Sequence, residues 1–173
     1  MKSDWTITGT GGQAVIDEGG SKRCQLTAQK TMLWNGRNNL LNAEIIGQIK
    51  VGSNANYAGG FLLRCDSSCN NAYNLRVSAN GSVKIYYIYR ILNGVWTSLA
   101  ISNSSEQYGV YTKVRFRVDG NQISVEEWIT GVWNLIQLVT DNYVTVAGYA
   151  GLRGDSSAGY SVQFDNIEVN EKA

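Results

Sequence analysis

The chain has 173 residues, of which 43% are hydrophobic and only 17% charged, and its formal net charge is +1. That size and composition suit one packed domain spanning residues 1–173. A nearly neutral chain lacks the counterion-release drive for nucleic acid, and no apolar run approaches the ~18 residues of a membrane span, so neither nucleic-acid binding nor membrane insertion is expected.

Histidine is absent, which removes the commonest general base and a frequent metal ligand. Proline is absent too, so the 19 glycines, with Asn and Ser, must make the turns. The polar start Met1-Lys2-Ser3-Asp4 carries no leader-like apolar stretch, as expected of a mature chain, an excised domain or one exported by another route.

In chain order, Trp5–Gly9 and Gln13–Asp17 read as an opening pair of short strands, and Gln25–Leu33 as a weaker one. Ala43–Val51 is the first long strand, with Ile45, Gly47, Ile49 and Val51 on one face and Glu44, Ile46, Gln48 and Lys50 on the other. The centre of the chain is Gly59–Ala100, read as four strands: Gly59–Cys65, Tyr73–Ser78, Val83–Arg90 and Val95–Ala100. Asn80-Gly81 and Asn93-Gly94 supply its hairpin turns, because both residue types tolerate positive φ. Ser102–Tyr108 reads as a polar connection. Tyr111–Asp119, Gln122–Trp128, Val132–Val139, Ala147–Arg153 and Ser161–Val169 complete the series, with turns at Asp119-Gly120 and Thr130-Gly131.

Short strands with regular turn signals and no helical periodicity define an all-β sandwich or barrel. The alternation nominates a core of Ile45, Ile49, Phe61, Leu63, Leu75, Val77, Val114, Phe116, Val118, Ile123, Val125, Leu152, Phe164 and Ile167. Cys65 and Cys69 either close a small disulfide loop or remain free thiols. With Cys24 they make three cysteines and no histidine, too few for a four-ligand zinc site.

The sequence Ala58-Gly59-Gly60-Phe61-Leu62-Leu63-Arg64, then Asn71-Ala72-Tyr73-Asn74-Leu75-Arg76, a glycine turn, a strand and Gly94-Val95-Trp96, resembles the middle of concanavalin A-like, laminin-G-like jelly rolls. Gly148–Arg153 followed by Val162–Val169 is similar to their closing strands, and Asp4-Trp5 with Gln13–Asp17 to their first hairpin. The resemblance implies a two-sheet antiparallel jelly roll. It also implies a lectin-like carbohydrate-binding or adhesion role, within a surface, virion or glycan-degrading assembly. The partner would be a glycan or cell-surface polysaccharide and the setting extracellular, cell-surface or virion-associated. A structural domain contacting other virion or surface proteins is the alternative, a glycan-active hydrolase the third reading, and fold alone does not decide among them. The glucanase members carry a Glu-x-Asp-x-x-Glu strand motif that is absent here, and Glu126 and Glu127, as strand neighbours, point to opposite faces. No catalytic residue is therefore assigned.

The polar parity of the strands nominates a ligand face of Arg64, Asn74, Arg76, Tyr86, Arg115, Arg117, Glu126 and Trp128. Arginine and asparagine direct hydrogen bonds to hydroxyls and acids, and aromatic rings present an apolar plane to a sugar. Among the other aromatic residues, Trp5 and Trp133 are expected to pack, whereas Trp96, Tyr57, Tyr108 and Tyr143 flank turns or sit in loops. The resemblance further implies a structural Ca²⁺ held by Asp165 with Asp17 and Glu18. Arg153-Gly154-Asp155-Ser156 spells an adhesion tripeptide in an expected turn, a match that chance explains.

Overall fold

The structure is a computed structural model that describes residues 5–18, 20–53, 58–80, 82–155 and 160–172. The described residues form fourteen strands: β1 Trp5–Gly9, β2 Gln13–Glu18, β3 Ser21–Thr27, β4 Gln29–Trp34, β5 Ala43–Lys50, β6 Gly59–Cys65 and β7 Ala72–Asn80. The second seven are β8 Val83–Leu92, β9 Val95–Gln107, β10 Thr112–Asp119, β11 Gln122–Ile129, β12 Val132–Thr140, β13 Tyr149–Asp155 and β14 Ser161–Glu171. They make two seven-stranded antiparallel sheets packed face to face. The first has the order β1-β4-β13-β6-β7-β8-β9, the second β12-β11-β10-β5-β14-β3-β2.

The alternation worked as a guide to the interior. Every nominated core residue from Ile45 to Phe164 is buried, and Ile167 packs against the core's edge. Phe61 of the first sheet meets Phe164 of the second with ring centres 6.1 Å apart. Two expected turns have the backbone that tight hairpins require: Asn93 and Gly94 at φ 50° and 77°, and Thr130 and Gly131 at 49° and 91°. Gly81, Tyr57 and Ser156 lie outside the described residues, although Asn80 pairs with Val83 as a two-residue turn demands.

Three expectations needed correction. Trp5–Gly9 and Gln13–Asp17 are not a pair: β1 bonds to β4 and β2 to β3, in different sheets. Gln25–Leu33 is broken at Ala28, whose φ of 50° takes the chain from the second sheet into the first. The stretch Ser102–Tyr108 is not a connection, because β9 runs on to Gln107. Its polar residues hid a strand whose inward hydroxyl, on Ser104, serves a buried carboxylate, Glu127.

Candidate functional site

Strand register decides which side chains share the outer face of the first sheet. Arg153 of β13 lies opposite Gly60 of β6, Gly60 opposite Arg76 of β7, and Arg76 opposite Tyr87 of β8. The next rung is Gly151, Leu62, Asn74 and Tyr89, and Ile91 and Trp96 lie opposite each other beyond it. A Cβ at Gly60 would sit 1.8 Å from the Leu75 carbonyl oxygen, so only glycine fits there and no side chain stands between Arg153 and Arg76.

The aromatic residues of this face form a row. Tyr87 stacks on Tyr89 with centres 5.8 Å apart and planes at 14°, and Tyr89 meets Trp96 edge-on at 5.4 Å. The Arg76 guanidinium lies 5.5 Å from the Tyr87 ring centre and that of Arg153 4.8 Å from Trp96. On a flat sheet the β13 and β9 backbones would be about 19 Å apart, four inter-strand spacings. A direct contact between their side chains therefore requires the face to curl into a trough. Within it, the Asn74 Nδ2 donates to the Phe61 carbonyl at 3.3 Å, and its Oδ1 is buried without a partner. The Asp155 Oδ1 accepts the Arg153 Nε–H at 2.6 Å, and its Oδ2 is likewise unpartnered.

Of the nominated ligand residues, Asn74 and Arg76 belong to this trough and the others do not. Arg64 is 5% exposed and tied into the sandwich's end. Its Nε donates to the Leu41 carbonyl at 2.6 Å, and its terminal nitrogens to those of Val144 at 2.7 Å and Gly120 at 2.6 Å. The cause is local: φ of 51° at Arg64 throws its side chain off the parity of the strand. Tyr86 faces the core, fully buried, and donates to the Glu127 Oε1 at 2.7 Å. Register puts it opposite Val77, so Tyr87 and Tyr89, one residue out of step, are the rings beside Arg76. Arg115, Arg117, Glu126 and Trp128 lie on the outer face of the other sheet. There the Arg115 fork donates twice to Glu126 at 2.5 Å, and Arg117 pairs with Glu44 at 3.0 Å. Trp128 packs edge-on against Trp133 at 5.1 Å, beneath Lys113. This is a cross-strand charge ladder whose hydrogen bonds are already spent.

The three nominated calcium ligands are each engaged with a protein cation in this structure. Asp17 faces Lys22 at 3.6 Å and Glu18 accepts from Lys50 at 2.5 Å, while Asp165 forms an ion pair with Arg23. Protein cations thus neutralise all three, and among the described residues no group of three acidic, cysteine or histidine side chains converges. Glu126 and Glu127 point to opposite faces as expected, the second wholly buried. The three cysteines are free thiols. Cys65 and Cys69 hydrogen-bond each other, which holds the Cys65 thiol up and the Cys69 thiol down in pKa. The Arg153-Gly154-Asp155 triplet lies in β13 and not in a turn, with Arg153 bonded to Asp155.

An apolar cleft of about 270 Å³ opens at the sandwich's end among Leu92, Tyr143, Val144 and Val146. Its charged neighbours are committed: Arg64 to carbonyls, and Asp66 to the Ser68 and Asn70 amides at 3.0 and 2.9 Å and to the Asn71 side chain at 2.7 Å. The charged groups of the cleft are thus spent on the protein itself, and the trough, with its row of rings and unpartnered acceptors, is the better candidate.

No protein-family model matches the chain, and no curated protein sequence does. Solved structures do. The carbohydrate-binding module CBM66 from Bacillus subtilis superposes with a TM-score of 0.74 at 16% identity, over 98% of this chain and 96% of that one. The Bacteroides ovatus xyloglucan PUL protein GH43B gives 0.73 at 11%, over 99% of this chain but only 37% of its own length. The Bacteroides ovatus mixed-linkage glucan PUL protein GH16, solved with a product, gives 0.71 at 11%, over 98% and 96%. At such identities the likeness is one of fold: the chain has the concanavalin A-like jelly roll that its turn and core residues resemble.

Proposed function

We propose that the protein is a non-catalytic carbohydrate-binding module that holds a glycan in the trough of its first sheet. The observation that carries this reading is the row Tyr87, Tyr89 and Trp96, flanked by two guanidinium groups and two unpartnered buried acceptors. A sugar ring offers an apolar C–H face to such rings and hydroxyl donors to such acceptors. The strands of this face carry one outward carboxylate among the described residues, Asp155, whereas glycoside hydrolysis calls for two. The resemblance of the fold to a carbohydrate-binding module supports the same reading, and an extracellular or surface setting goes with it.

Titration calorimetry against a panel of plant and microbial oligosaccharides tests it. Trp96→Ala and Tyr89→Ala are each expected to weaken binding about 30-fold, roughly 2 kcal/mol, while the folded state survives. Retained affinity in both, with loss in Trp128→Ala, would move the site to the second sheet. A second reading, a structural domain contacting other proteins, rests on Trp128, Leu135 and Leu138, which are 40%, 59% and 54% exposed on that sheet. Sedimentation of the purified protein as a defined oligomer, unchanged by glycans, would favour it.

A further inference from the structure

The two arginines of the trough are not equivalent. Arg153 gives its Nε–H to Asp155, so its charge is met by a carboxylate 2.6 Å away. Arg76 has no such partner. Among the described residues it donates no side-chain hydrogen bond and has no carboxylate within ion-pair distance; its guanidinium meets the face of Tyr87. It is partly buried, so the charge is not freely hydrated either. Elsewhere the molecule does not leave an arginine in this state: Arg23, Arg37, Arg90, Arg115 and Arg117 are in ion pairs, and Arg64 is spent on carbonyls. Two residues away on the same face, Asn74 keeps a fully buried acceptor unpartnered. The pair offers a cationic fork with five N–H donors beside an acceptor for a hydroxyl.

Resting on the glycan-binding reading, we propose that this trough selects acidic glycans, with the carboxylate of a uronic acid residue seated on the Arg76 fork. The ring of that residue would lie along Tyr87 and Tyr89 while a hydroxyl donates to the Asn74 Oδ1. The guanidinium geometry matches a carboxylate with two parallel hydrogen bonds, and the Tyr87 ring, centred 5.5 Å from the guanidinium carbon, lies beside the fork. Asp155 acts in the same direction by repulsion, keeping the anion at the Arg76 side of the trough and so setting the ligand's orientation.

The experiment compares oligogalacturonate, oligoalginate and glucuronoxylan fragments, each with its carboxyl-reduced or methyl-esterified counterpart, by calorimetry at low and high salt. At least one acidic form should bind about tenfold or more tightly than its neutral counterpart, and added salt should shrink the difference. Arg76→Gln should erase that preference, so that within this variant the acidic form binds no more tightly than its neutral counterpart. Arg76→Lys should restore only part of it, having charge without the fork. Equal binding of acidic and neutral forms, or a preference that survives Arg76→Gln in a variant with unchanged melting temperature, would overturn the proposal and leave glycan binding standing. Binding of neutral oligosaccharides alone, lost in Trp96→Ala, would do the same. Failure of every glycan to bind the wild-type protein would overturn the glycan reading and this proposal with it.

Discussion

Arg64→Ala is expected to destabilise the protein by about 3–5 kcal/mol, seen as a lower urea midpoint with little change in slope. Three backbone carbonyls, of Leu41, Val144 and Gly120, accept hydrogen bonds from this one guanidinium. They belong to three different connections, so the side chain gathers the loops at one end of the sandwich. Truncation leaves those oxygens without a donor in a place where Arg64 itself is 5% exposed. Tyr73 continues the network, donating to Asp141 at 2.7 Å, and Arg90 pairs with the same carboxylate at 2.7 Å. Burial and the Asp141 bond push the Tyr73 phenol up to about 12. Arg64→Lys should recover part of the loss, since an ammonium cannot span three acceptors in fixed directions. Glycan affinity of the folded variant should equal that of the wild type, because the side chain points away from the trough. A loss of affinity without a loss of stability would restore Arg64 to the binding site.

The second large effect depends on pH. Lys84 is fully buried between the sheets, hydrogen-bonded to the Thr112 hydroxyl. Burial brings its pKa down from 10.5 to about 8, against the opposing pull of Glu127 and Glu106. Below pH 8 the amine is protonated in both folded and unfolded chains, and the cost of burying its charge counts fully against the fold. Between about 8 and 10.5 the unfolded chain holds a proton that the folded one has released, so stability from this group rises with pH. The span corresponds to about 3 kcal/mol. Other groups titrate in the same range, with the Cys24 thiol raised by burial to about 11 and acting in the opposite sense. The difference between wild type and Lys84→Met isolates the lysine. It should shift by about 3 kcal/mol in favour of the wild type from pH 8 to 10.5, read by urea denaturation at each pH. A flat difference would mean that Lys84 keeps its ordinary pKa inside the fold.

Much of this architecture was legible because period-two alternation and glycine turns are local signals. Phe61 and Leu63, or Val114, Phe116 and Val118, announce a buried face without reference to any partner strand. The site needed register, which is a relation between strands. Had the two-residue turn after Asn80 been used to count pairs, Arg76 would have fallen opposite Tyr87 and Asn74 opposite Tyr89, and Tyr86 would have gone to the core with Val77. That signal was in the sequence. Two others were not. The left-handed φ of Arg64 breaks parity with no glycine or asparagine to mark it. The separation of Arg76 from Arg115 and Arg117 onto opposite sheets depends on the strand order, where β10 joins β5 and β7 joins β6. Trp96 and Arg153 are 57 positions apart in the chain and meet only because the sheet curls.

The placement of β13 and β14 has a consequence for synthesis. β13 is wedged between β4 and β6, and β14 between β3 and β5, so the last two strands each fill the middle of a sheet. A nascent chain that has emerged as far as β12 has neither sheet closed, and four inner strands present unpaired backbone. Those open ladders invite pairing with neighbouring nascent chains until the final strands leave the ribosome, which makes the interval a point of chaperone demand. Arg153 arrives with β13, so the trough cannot engage a ligand before translation of the domain is almost complete.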